Sequence, residues 1–368
     1  MKQIVFAFLI TAILGVGGVA LTFAIRSPDA APKLFTSQEL AGQEAAYRGQ
    51  VVAEANALIE KDGLGEALPA AVKDNLNRLS RIMPKEQNNR LVDSTVRLVR
   101  GADAPQAQKS LNTLASFVEN RLTVRWEPNP EAVKQGHFIY NVSCQTCHGR
   151  NGDGSPITPE GLAVTPRDFT GQSHSAQRVV FKFNTSDRPD MLALDEDLKT
   201  TITEGLPGTP MPGFAILSPE EINALLDYIK TFGYASWKFN QPTRSAIEVP
   251  PPPQDLGSSK RIDDGRGLFK SRGCAGCHGD IEQGGKPPVE LPTQWLDGEG
   301  KPILVWPRNF AVDPLKRPRL QDIFKTIRLG IKGTPMPANL LNDEETWNLI
   351  AYVLHLKQLG SEGKVLPK

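Results

Sequence analysis

Apolar residues in the first third of the chain recur at spacings of three and four, the period of a helix with one buried face. Val51, Val52, Ala55, Leu58 and Ile59 make one such stripe, and Val72, Leu76, Leu79 and Ile82 make a second. Leu91, Val92, Val96 and Val99 form the third, and Leu111, Leu114, Val118 and Leu122 the fourth. Breakers separate them at Asp62-Gly63, at Met83-Pro84 and from Gly101 to Pro105. Four amphipathic helices with short connections predict a small antiparallel bundle over residues 34–126, with an extended helical stalk as the other arrangement. The segment has no Cys or His, offers no cofactor site, and reads as a spacer or docking module.

Ahead of it the pattern is different. Ile4 to Ile25 is a run of 22 residues without a charge. As a helix it would extend roughly 33 Å, against about 30 Å for a bilayer core. A cleaved signal peptide has a shorter apolar run and a small-x-small site. Gly18-Val19-Ala20 is a candidate for that site, but the run continues past it. The expectation is an uncleaved transmembrane anchor, residues 1–27. Lys2 favours an N-terminus inside, a bias that Arg26 and Lys33 weaken. No second span follows in the sequence, so the rest of the chain is expected on one side of the membrane.

From Pro130 onward the chain repeats itself. EAVKQGHFIY, CQTCHG, TPRDF, GTPMPGF and SPEEINALLDYIKTF return in the same order as RIDDGRGLF, CAGCHG, WPRNF, GTPMPAN and NDEETWNLIAYVLHL. The offset is 130 residues at the cysteines and 125 at the methionines, which means duplication of a whole domain rather than a solenoid repeat. The predicted domains are 130–238 and 260–360, joined by a linker over 239–259. Its run Pro250 to Pro253 favours polyproline II and a semi-rigid spacer. Each unit closes with a capped helix, Ser218 with Glu221 and Asn342 with Glu345. Strand signals are sparse, so the predicted fold is mostly α. Charge adds an exclusion: 42 basic and 41 acidic residues nearly cancel, and no global field points to nucleic acid. The 32 Gly and 30 Pro make a loop-rich chain, as where backbone folds around something other than its own side chains.

Three chemistries compete for the CxxCH stretches, which hold all four cysteines. A zinc site would take Cys144 with Cys147, or Cys274 with Cys277, and then lack ligands, because only His137, His174 and His355 remain beside His148 and His278. A redox dithiol normally follows a strand and opens a helix, whereas here an amphipathic segment precedes and a Gly-rich loop follows. In covalent haem c attachment, two thiols add to two vinyl groups and the adjacent imidazole ligates the iron. Of five methionines, two stand in identical GTPMP pentapeptides: Met211, 63 residues after His148, and Met336, 58 after His278. A thioether is a soft neutral ligand, and His/Met ligation raises a haem's potential. Pro210, Pro212, Pro335 and Pro337 stiffen the loops that carry them.

On these motifs each unit resembles a class I c-type cytochrome domain, over Pro130 to about Leu359. The resemblance implies a first helix crossing the last, with Gly136 and Tyr140 meeting Tyr228, and Gly265 and Phe269 meeting Tyr352. It implies two covalent haem c groups, ligated by His148 with Met211 and by His278 with Met336. A proline carbonyl after each motif, Pro156 and then Pro287 or Pro288, is expected to orient the imidazole. Arg167 and Arg308 are candidates for haem propionates or for bracing their loops, and His137, His174 and His355 are expected to play no ligand role. The implied function is electron transfer, not enzymatic turnover. It would occur on the periplasmic face of a bacterial inner membrane, between a redox donor and acceptor of a respiratory or dehydrogenase complex. A dihaem peroxidase, which needs one open iron, is the rival, and a ligand-sensing module is a third reading.

Overall fold

The computed structural model describes residues 31–157, 165–175, 179–187, 192–283, 290–297 and 299–364. The predicted anchor lies outside these residues. Among those described, no helix is long and apolar enough to cross a membrane.

The four stripes become α1 (Ser37–Lys61), α2 (Ala70–Leu79), α3 (Lys85–Arg100) and α4 (Gln108–Leu122). They close on one core that includes Val51, Leu76, Val92 and Leu114, so the segment is a packed bundle and not a stalk. Ile82 is the exception: α2 ends three residues before it, and the side chain is exposed.

The first repeat unit comprises α5 (Pro130–Ser143), α6 (Gln145–His148), α7 (Asp195–Glu204), α8 (Pro219–Phe232) and α9 (Tyr234–Asn240). The second comprises α10 (Ser259–Ser271), α11 (Cys274–His278), β1 (Leu291–Leu296), β2 (Pro302–Val305), α12 (Leu320–Leu329) and α13 (Asp343–Ser361). In each, the first helix crosses the last at the expected residues. A Cβ on Gly136 would stand 2.0 Å from the Ala224 carbonyl oxygen, and one on Gly265 would stand 2.0 Å from that of Asn348. Only glycine permits so close an approach. Four residues on, Tyr140 meets Tyr228 edge-on at 5.2 Å, and Phe269 meets Tyr352 at 5.3 Å. The capping boxes Ser218/Glu221 and Asn342/Glu345 start α8 and α13.

The bundle is docked on the first unit through buried charge. Glu44 lies 2.8 Å from Arg48 and 2.8 Å from the Nζ of Lys238 on α9. Tyr47 stacks on Phe239 at 4.9 Å. Burying these ions is compensated only because each has its partner.

The β1–β2 hairpin departs from the sequence expectation. Its strands pair antiparallel, Leu291 opposite Val305, and bury Thr293 and Trp295 on one face. Pro292 and Pro302 obscure the strand pattern, yet a two-stranded ribbon is all edge and tolerates them. The hairpin reaches across to the first unit: Leu296 N–H donates to Ser173 O at 2.7 Å, and Ser175 N–H donates to Gln294 O at 2.9 Å. The linker is likewise held rather than spanning open space. Ala246 N–H bonds Thr185 O at 2.7 Å, and Ile247, Val249 and Leu256 pack with Phe324 and Trp347. The two units therefore abut.

Gly136→Val forces a side chain into the backbone of α8 and should cost roughly 1–3 kcal/mol, read as a lower urea midpoint. Gly42→Ala, on an exposed face of α1 with nothing within 4 Å, should leave the midpoint unchanged or raise it.

Candidate functional site

Each CxxCH folds as a single helical turn placed by the end of the helix before it. In the first unit Cys144 follows α5, and α6 carries Cys147 and His148. His148 Nδ1 lies 3.0 Å from the carbonyl oxygen of Arg167. A carbonyl can only accept, so Nδ1 holds the proton and Nε2 keeps its lone pair, the form that ligates a metal. The ring stacks on Phe169 at 4.7 Å and 20°. The second unit repeats this: His278 Nδ1 is 2.9 Å from Arg308 O, and its ring stacks on Phe310 at 4.6 Å and 20°. Burial lowers the pKa of His148 to about 4 and lowers that of His278, so both imidazoles are neutral at pH 7.

This corrects the expected orienting group. Pro156 does not accept from His148, and Pro287 and Pro288 lie outside the described residues. The acceptors are the backbone carbonyls of the arginines in TPRDF and WPRNF, with the phenylalanine two places on as the stacking partner. The repeated PRxF was legible as a landmark. Its role was not, because the sequence distance to the histidine differs, 19 residues in one unit and 30 in the other.

The methionine loops are matched bond for bond. α7 ends at Gly205 with φ 68° and α12 at Gly330 with φ 69°, left-handed turns that a side chain would strain. Leu206 N–H then donates to Met211 O at 3.1 Å, and Ile331 N–H donates to Met336 O at 3.1 Å. Met211 N–H donates to the Thr209 hydroxyl at 3.3 Å, and Met336 N–H donates to that of Thr334 at 3.2 Å. Thr209 and Thr334 thus brace the loops, a task the sequence reading did not assign them.

One cavity brings together Cys144, Cys147, His148 and Met211; a second brings together Cys274, Cys277, His278 and Met336. His137, His174 and His355 line neither. His137 Nε2 donates to Pro32 O at 2.9 Å, His174 meets Trp295 edge-on, and His355 lies 3.5 Å from Glu282.

The donors discriminate between the three chemistries. The four cysteines are unbridged, and burial with the neighbouring Cys147 pushes the Cys144 thiol up to about 12. Burial also raises the pKa of Cys274. Zinc ligation and disulfide exchange select depressed thiol pKa values, whereas burial raises those of Cys144 and Cys274. Among the described residues no group of three His, Cys, Asp or Glu could hold a metal ion. Haem c fits: two thiols, a neutral imidazole with its outer nitrogen satisfied, and a thioether share one cavity. Phe181, Ile202, Leu225 and Ile229 make apolar walls in the first, and Arg167, Lys182 and Lys316 supply a cationic edge. That combination complements a large apolar ring with acidic substituents.

Known proteins agree with this chemistry. Residues 131–229 match the family described as cytochrome C oxidase, cbb3-type, subunit III, and residues 262–357 match the family described as cytochrome c. The cbb3-type cytochrome c oxidase subunit CcoP of Azospirillum sp. (strain B510) is 27% identical over 187 residues, 47% of this chain and 51% of that protein. The chain thus spans about half the length of this curated relative. A solved chain from the Kuenenia stuttgartiensis reducing HAO-like protein complex is 26% identical with a TM-score of 0.50, covering 63% of this chain and 98% of that one.

Met211→Ala should open the first site alone, and Met336→Ala the second alone. Each reduced variant should bind about one equivalent of carbon monoxide per chain, where the parent binds little, as read from the visible absorption spectrum.

Proposed function

Because the chain belongs to the c-type cytochromes, with two cytochrome c domains in tandem, we propose that it relays electrons through two covalently bound haem c groups. The observation that carries this reading is the duplication of the whole donor set, down to the imidazole–carbonyl and methionine–threonine hydrogen bonds. Cys144 with Cys147, and Cys274 with Cys277, would anchor the groups; His148 with Met211, and His278 with Met336, would ligate them. Bound haem supplies a one-electron couple. The protein's part is to hold the couple still and dry. The Arg167 and Arg308 carbonyls fix the imidazole rings and their protons, and the threonine-braced loops fix the sulfurs. The apolar walls exclude water, and a neutral sulfur ligand favours the ferrous state, raising the potential.

His148 with Met211, and His278 with Met336, would fill both free positions of each iron and leave none for a substrate, which favours a carrier over an enzyme. The apolar run Ile4–Ile25 supports a tether to a bacterial inner membrane, with the domains on the periplasmic side. The relatives named as parts of a cbb3-type oxidase and of an HAO-like complex support donor and acceptor partners within a larger redox assembly. The docked helical bundle would be a surface for that assembly, rigidly coupled to the first domain through Glu44, Arg48 and Lys238.

Stopped-flow mixing of the reduced protein with a soluble one-electron acceptor, and separately with hydrogen peroxide, tests the reading. The expected result is complete oxidation of both haems by the acceptor and no peroxide turnover above free haem peptide. Catalytic peroxide turnover with one haem high-spin at rest would replace the relay with a peroxidase.

A further inference from the structure

The two cavities share a wall made of cations. Lys182 of the first domain lines the second domain's cavity as well as its own, and Lys316 of the second lines the first domain's cavity as well as its own. Arg167 and Arg308 flank them, one in each cavity. Trp295, from the hairpin of the second domain, lies against this cluster: the Arg167 guanidinium is 3.9 Å from its ring centroid and the Lys182 Nζ is 5.0 Å from it. Backbone and side-chain bonds pin the junction. Lys332 N–H donates to Lys182 O at 3.2 Å, and Arg317 donates to Asp197 O at 3.1 Å.

What the two lysines lack is negative charge: Asp168 acts on Arg167 and Asp313 on Arg308, but no carboxylate acts on Lys182 or Lys316. Two fully buried lysines of this chain have carboxylates: Lys238 has Glu44 and Lys230 has Asp195, each at 2.8 Å. Arg167, Lys182, Arg308 and Lys316 make no ion pair among the described residues. The charges acting on Lys182 are Arg167, Lys316 and Arg308, and those on Lys316 are Arg308 and Arg167, every one a cation. Burial, reinforced by this repulsion, pushes Lys182 down to about 7 and Lys316 down to about 8. Half-buried like charges at one junction are unfavourable unless an anion joins them. The donors already described would hold an acidic cofactor in each adjoining cavity.

We propose that this cluster is one shared anion site for the carboxylates of both haems, in which each domain completes its neighbour's site: Lys316 serves the haem of the first domain and Lys182 that of the second. This rests on the relay reading and deepens it. The interface between the domains is then held by the cofactors, and the two redox centres share their counter-charges, so that the charge state of one is felt by the other.

Redox titration of the full-length, haem-loaded protein tests this, with Lys182→Gln and Lys316→Gln beside the parent. Haems are assigned through the distinct spectrum of a Met211→Ala background. A nearby cation favours the reduced, less positive haem, so its removal lowers the potential. Lys316→Gln should weaken reduction of the first domain's haem about tenfold, about 59 mV, and Lys182→Gln should do the same to the second domain's haem. Lys182→Arg and Lys316→Arg keep the charge and should restore parent potentials. If a Gln variant loads haem poorly, its Arg counterpart decides: parent-like potentials support the charge role, and a displaced potential overturns it. Shifts confined to the lysine's own domain, or none, overturn the inference while leaving the relay intact. Shifts that depend on exchanging chloride for phosphate would mean a diffusible anion, and also overturn it. A parent chain that binds no haem would instead overturn the relay reading itself.

Discussion

A buried imidazole can serve a metal only if its protons are placed, and in this protein one hydrogen bond places them. The carbonyl of Arg167 takes the Nδ1 proton of His148, and the carbonyl of Arg308 takes that of His278. Nε2 is thereby left with a lone pair, and the ring is held at a fixed tilt against Phe169 or Phe310. Burial works in the same direction by keeping both rings neutral. Much of the fold serves this bond. The glycine-mediated crossings of α5 with α8 and of α10 with α13 fix the end of the helix from which each CxxCH turn departs, and the PRxF loop closes over the ring.

Two copies of that arrangement lie against each other, and contact between them changes what each copy is. Separate domains on a proline linker would be independent carriers. Here the hairpin of the second domain hydrogen-bonds to the 173–175 loop of the first, and its Trp295 lies on Arg167. The linker residues Ile247, Val249 and Leu256 pack against the second domain's core. The helical bundle is joined just as firmly, through ions buried among α1, α3 and α9. Bundle, first domain and second domain form a continuous body, which would suit the proposed relay by keeping its two centres at a constant spacing.

Periodicity and repetition carried most of this into the sequence. The bundle was legible because its stripes face one core, and the helix crossings were legible because Gly and an aromatic recur at i, i+4 in both units. Eight candidate donors were named from motif duplication, and the structure brings them together in two cavities. What escaped was of two kinds. Backbone groups carry no side-chain signature, so the acceptors Arg167 O and Arg308 O were assigned to prolines instead. Contacts between the domains have no period: the hairpin was hidden by Pro292 and Pro302, and the cation cluster draws Arg167 and Lys182 from the α6–α7 connection and Arg308 and Lys316 from the β2–α12 connection, each of which alone reads as an ordinary basic residue.

The central claim is that the two CxxCH turns are sites of covalent haem attachment. Intact mass of the denatured chain after acid-acetone extraction tests it most directly. The account predicts the mass of the polypeptide plus two haems, with peptide mapping placing one on Cys144 and Cys147 and one on Cys274 and Cys277. A chain at its polypeptide mass, or one retaining zinc in native spray, would contradict it.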